Sequence, residues 1–165
     1  MSELRTNRIV PRDGLVSGAS GGVIQVVFSS LATGSTVTVN GTALVDVLTA
    51  TITPTRSDSK ILVQVTSAPK TNGGSANFQF GAQIQRNSTT IMYDNEYLQM
   101  NNGYAPNAFT GAYTVLDSPA STSALTYKFR CSRSVSGREL YFENSTDNTG
   151  NYYNKHTMTL MEISG

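Results

Sequence analysis

The chain of 165 residues contains one histidine, His156, and one cysteine, Cys131. One histidine excludes multi-histidine metal sites and speaks against a histidine-based triad. Placed at the start of the last apolar run, His156 is expected to be a satisfied surface or edge residue. One cysteine excludes an intrachain disulfide, and with it the small stapled secreted scaffolds. Cys131 alternates with apolar neighbours, and neither a helix N-terminus nor an adjacent base stands near it. A buried, inert thiol is expected there. Charge is scarce too: 14% of residues are charged, against about 25% in an ordinary domain. The net charge of +1 provides no broad field toward nucleic acid or an anionic membrane. No run approaches the roughly 20 apolar residues of a spanning helix, and no segment has the apolar core of about 7–15 residues of a signal peptide.

Other chemical signatures are missing as well. The acidic residues Asp46, Asp58, Asp94, Glu96, Asp117, Glu139, Glu143, Asp147 and Glu162 are scattered, and their spacing proposes no carboxylate pair. "DNTGN" (Asp147–Asn151) lacks the bidentate Glu of a calcium loop and reads as a turn. "SGASGG" is followed by neither Gly-Lys-Ser/Thr nor a helix, so it is no phosphate loop. The three Asn-X-Thr sequons are what chance gives in a chain this rich in Thr, Ser and Asn. The expectation is a non-enzymatic protein with no catalytic residues, no metal and no cofactor.

Thr, Ser, Asn and Gly stand in place of charge, a composition that suits strands and turns. Periodic signal begins at Val23. "VIQVVFSS" (Val23–Ser30), "LVDVLTATIT" (Leu44–Thr53), "KILVQVT" (Lys60–Thr66), "NFQFGAQIQR" (Asn77–Arg86), "FTGAYTVLD", "ALTYKFRCS" and "HTMTLMEI" are short apolar or alternating runs broken by Gly, Asn and Pro. Strict period two puts Phe78, Phe80, Ala82 and Ile84 inward, with Gln79, Gln83 and Gln85 outward. It likewise groups Leu125, Tyr127, Phe129 and Cys131 on one face. Asn40-Gly41 suits a type I′ turn and predicts a tight hairpin between the runs beside it. Eight to ten strands at this spacing, with no 3.6-residue apolar stripe, predict an all-β antiparallel sandwich or jelly roll.

Two parts follow from the break at Val23. Residues 1–22, "MSELRTNRIVPRDGLVSGASGG", form an extended N-terminal docking arm, with Arg5, Arg8 and Arg12 as candidates to pair with carboxylates of another protein. Residues 23–165 form the sandwich head. Its long strand-poor stretches, Met92–Ala108 and Glu143–Lys155, carry Tyr93, Tyr97, Tyr104, Tyr152 and Tyr153 among Asn and Asp residues. Flat aromatic faces beside paired hydrogen-bonding groups are what sugar rings and protein partners bind. These five are the candidate receptor-loop residues. The last strand is apolar on both faces, Met158 and Leu160 on one and Met161 and Ile163 on the other. A strand of that kind is covered twice, and the four residues are the candidate subunit interface.

The stretches "RTNRIVPRDG…SGASGGVIQVV", "TATITPTRSDSKILVQV", "IQRNSTTI", "YTVLDSPASTSALTYKFR" and "TLMEI" cover most of the chain. In them it resembles small virion and fibre-like proteins of tailed phages of marine cyanobacteria. The arrangement is similar to trimeric jelly-roll heads of the tumour-necrosis-factor and complement type. This resemblance implies localisation in the virion and a homotrimeric fibre or spike. The arm would hold other virion proteins, of tail or capsid, and the head would meet a host-surface glycan or protein. Neither nucleic acid nor membrane insertion enters. The alternative is a capsid decoration or cement protein that stabilises the shell.

Overall fold

Alternating apolar residues become strand along most of the chain. The computed structural model describes residues 22–71, 80–94, 110–133, 139–144 and 156–165, and no helix occurs among them. Its strands are β1 (Val23–Ser30), β2 (Thr36–Val39), β3 (Val45–Ile52), β4 (Lys60–Ser67), β5 (Lys70–Thr71), β6 (Phe80–Arg86), β7 (Thr89–Asp94), β8 (Gly111–Asp117), β9 (Leu125–Arg133), β10 (Leu140–Glu143) and β11 (Thr157–Ile163). Two four-stranded sheets, β1-β11-β4-β8 in front and β3-β9-β6-β7 behind, enclose the core, and a small sheet, β2-β10-β5, stands beside them. Every pairing is antiparallel. Two four-stranded sheets linked this way make a β-sandwich of the jelly-roll kind, as the strand spacing predicts.

Register decides what is inside. In the front sheet, Val27, Leu160, Val63 and Val115 lie side by side across the four strands and face inward. The back sheet answers with Phe80, Ala82 and Ile84 of β6, and Leu125, Tyr127, Phe129 and Cys131 of β9, all buried. Tyr113 and Phe129 meet across the sandwich with ring centroids 5.5 Å apart. Cys131 is fully buried, and burial pushes its thiol well above the ordinary range. The burial is what the alternation predicts.

Phe80→Ala is expected to cost about 3–5 kcal/mol, the usual loss for a buried aromatic. Gln85→Ala, on the outward side of the same strand, should stay within roughly 0.5 kcal/mol. Urea melts of the two variants check this, and equal losses would contradict the facing. Gln79 lies outside the described residues. Gln83 does point outward, yet it is only 8% exposed. Its amide donates to Thr90 Oγ1 at 3.0 Å and accepts from Arg130 at 3.3 Å, so neighbouring strands close over it.

The hairpin expected at Asn40-Gly41 does not form. β2 pairs with β10, about a hundred residues away, while β3 pairs with β9. Residues 40–44 therefore carry the chain from one sheet to another. The Gly41 carbonyl accepts from the Arg133 backbone N–H at 2.9 Å, and neither Asn40 nor Gly41 takes a positive φ. The tight turn lies elsewhere. Asn87, at φ 50°, closes the β6–β7 hairpin, and its side-chain oxygen accepts from the Thr126 N–H at 3.0 Å. Asn tolerates this left-handed conformation better than most residues. At one corner the Ser164 N–H donates to the Gly22 carbonyl at 2.8 Å, pinning both ends of the head together.

Candidate functional site

The two outer faces of the sandwich differ in chemistry. On the front sheet, Val26 of β1, Met161 of β11, Leu62 of β4 and Leu116 of β8 are successive register partners. They form one apolar row across all four strands. Val26 is 57% exposed and Leu116 54%, while Met161 and Leu62 are half-buried. The next row is Phe28, Thr159, Gln64 and Thr114, and Phe28 is 63% exposed. Beyond the first row, exposed Val23 pairs with Ile163, which pairs with Lys60 at the rim. Seven apolar side chains share this one face, and four of them, Val23, Val26, Phe28 and Leu116, are exposed.

The back face is polar. Asp46, Arg130, Gln83 and Tyr93 form a row across β3, β9, β6 and β7. Arg130 Nε donates to Asp46 at 2.7 Å, and Lys128 Nζ donates to the same carboxylate at 2.5 Å. Partial burial would raise the Asp46 carboxyl, but Lys128 and Arg130 outweigh it and hold the group below its usual range. Tyr93, 51% exposed, ends the row.

Polar side chains that point inward collect at two places. At one end of the sandwich Glu162, with no exposed surface, accepts from the Thr55 N–H and hydroxyl, both at 2.8 Å, and from Gln25 at 2.6 Å. Burial opposes its charge, but the hydrogen bonds from Gln25 and Thr55 prevail and hold the carboxyl below its ordinary range. The carboxylate clasps the Thr53–Ser59 connection to the core. At the other end, His156 is 1% exposed, which corrects the surface role expected for it. Its Nδ1 accepts from the Ser67 hydroxyl at 2.8 Å and the Ala68 N–H at 3.3 Å, and its Nε2–H donates to the Glu143 carbonyl at 3.2 Å. This set of partners requires the neutral ring. Burial accordingly pushes its pKa below the ordinary 6.5.

The pH dependence follows. Between the two pKa values the unfolded chain binds a proton at His156 that the folded chain does not, so this part of stability is complete above about pH 6.5 and declines as pH falls. Glu162 adds a loss of the same sign below its unfolded value of 4.5. Urea midpoints are expected to be flat above neutrality and to fall from pH 6.5 to 5. His156→Gln should flatten that interval whatever it does to absolute stability. An unchanged slope in the variant would remove His156 as its source.

The structure separates the residues singled out in the sequence. Met158 and Leu160 are fully buried in the monomer core, so neither can line a subunit interface. Register sets them between Ser29 and Val65 and between Val27 and Val63. Met161 and Ile163 do reach the outer face. Tyr93 sits on strand β7 and not in a loop, while Tyr97, Tyr104, Tyr152 and Tyr153 lie outside the described residues, as do Arg5, Arg8 and Arg12. Sequence reading missed Val26, Phe28, Leu62 and Leu116 as a group. One signal was available: "VIQVVF" is apolar at both parities, as the last strand is. Glu162 and His156 share the parity of Met158 and Leu160, but with this strand apolar at both parities that alone offered no way to place them inside. Among the described residues no group of three or more His, Cys, Asp and Glu side chains could hold a metal ion.

No family model matches the chain, and no curated protein matches it. Among solved structures, it is similar to a chain of the T13 IBDV viral particle, with TM-score 0.43 and 11% sequence identity. The likeness covers 97% of this chain and 44% of that one, so the chain spans under half of its neighbour's length.

Proposed function

We propose that this protein is a non-enzymatic structural component of a tailed-phage virion: a small oligomeric fibre or spike head, anchored through residues 1–22 and displaying its sandwich to the host surface. The observation that carries this reading is the contrast between the two outer faces. An apolar face with Val26, Phe28 and Leu116 more than half exposed calls for a protein cover. The opposite face, polar and internally hydrogen-bonded around Arg130, needs no cover and is suited to water or a polar ligand. The resemblance of the arm and strand motifs to phage virion proteins supplies the setting. Tyr93 beside Gln83 and Arg130 gives the exposed face an aromatic surface of the kind that stacks on sugar rings.

The test is made on purified particles. Mass spectrometry is expected to find the chain in them, and gold-labelled antibody should mark the tail; labelling over the shell would instead make it a decoration protein. A chain lacking residues 1–22 should be missing from the particles. Absence of the intact chain from particles would overturn the reading.

A further inference from the structure

We infer that the apolar outer face of the front sheet is covered by a second copy of this chain, packed over the row Val26–Met161–Leu62–Leu116. This deepens the oligomeric part of the reading above and names its partner. Size is the first support. The four strands have seven or eight residues each. At about 4.8 Å between strands and about 3.4 Å per residue they make a face roughly 19 Å by 24 Å. That projection, about 460 Å², is more than half of the roughly 800 Å² per partner of a specific interface.

Charge is the second support, and it selects the occupant. Beside the apolar residues this face carries Ser30, Thr157, Thr159, Gln64, Thr66, Ala112 and Thr114, and its one charged residue among those described is Lys60 at the rim. In a symmetric homo-oligomer every interface charge recurs in each copy, and near the axis like meets like. A face that packs on itself must therefore be nearly free of charge, as this one is. A different protein would be steered by complementary charge, and the face has almost none to complement.

The third support is chain continuity. The Gly22 carbonyl is pinned to Ser164 at the corner of this same face, beside Val23 and Ile163. A copy packed over this face therefore lies beside the point where residues 1–21 join the sandwich.

The experiment measures the mass of the full chain by light scattering and sedimentation across the micromolar range, with folding followed by circular dichroism. Wild type is expected to be an oligomer. Met161→Glu and Leu116→Glu should be folded, with association weakened by about 100-fold or more through repeated buried like charge. Val26→Thr, neutral and compatible with a strand, should weaken it by about 10-fold. Thr49→Glu, on the outer face of the back sheet, should associate as wild type does. A monomeric wild type would overturn the inference, as would front-face variants that associate as wild type or a Thr49→Glu chain weakened equally. Loss of fold in both charged variants would also overturn it, since the face would then be packed within one chain. If the chain is found in particles yet is monomeric in solution, the inference and the oligomeric part of the reading fail, and the virion location stands. If it is oligomeric but absent from particles, the reverse holds.

Discussion

The Leu160→Lys chain is expected to be recovered unfolded or insoluble. Leu160 has no exposed surface and sits between Val27 and Val63 in the middle of the front sheet. An ammonium group placed there has no counter-charge, and an unpaired buried charge costs several kcal/mol. That is most of the roughly 5–15 kcal/mol by which a domain of this kind is stable. The adjacent substitution is the control. Met161→Lys turns the same charge to the outer face and should leave a folded head with wild-type circular dichroism. Soluble yield and thermal melts of the two variants decide it, and a folded Leu160→Lys would show that the register of β11 is shifted by one residue.

The second large effect is expected at Asp117. This carboxylate lies at the end of β8, and both its partners come from the back sheet: Arg86 Nη1 at 2.6 Å and the Tyr127 hydroxyl at 2.6 Å. Asp117 is 8% exposed and Tyr127 is fully buried. Burial, followed by the hydrogen bond to Asp117, pushes the Tyr127 phenol far above its ordinary 10.0. The neutral phenol is therefore a permanent donor. Asp117→Ala leaves a guanidinium and a hydroxyl without their acceptor and should cost about 3–5 kcal/mol. Tyr127→Phe removes one donor from a charged acceptor and should cost about 1.5–3 kcal/mol. Adding Arg86→Leu to Asp117→Ala should recover part of the loss, because an apolar pair leaves no orphan charge. Urea melts of the three chains form the test. A loss under about 1 kcal/mol for Asp117→Ala would mean that water replaces the carboxylate.

How far the sequence could be read depended on whether the deciding interaction was local. Alternation is local, so the inward sets of β6 and β9 were legible residue by residue, down to the buried thiol of Cys131. Partner choice is not local. Asn40-Gly41 has the chemistry of a tight turn, but the ladder partner of β2 is β10, and nothing near residue 40 encodes that. Neither face of β11 could be chosen from the sequence, because Met158, Leu160, Met161 and Ile163 are apolar at both parities. Only the position of β11 between β1 and β4 chooses. Gln83 was legible as outward but not as buried, since its cover is Arg130 from the neighbouring strand. The apolar row of the candidate site was the least legible feature. Its four members come from four strands spread over most of the chain, and they become one surface only through register.

The pin between Gly22 and Ser164 bears on how the head would withstand mechanical load. If residues 1–21 anchor the chain as proposed, a pull through them enters at Gly22, and its component along β1 loads that strand lengthwise. Antiparallel hydrogen bonds lie perpendicular to the strands. Such a pull shears the ladder with β11, which runs in register from Gln25↔Glu162 to Ser30↔Thr157, and it does not peel the bonds apart one at a time. The tension is shared across the ladder, and a particle held by its host through such a head would be tethered along the resistant direction of the sheet.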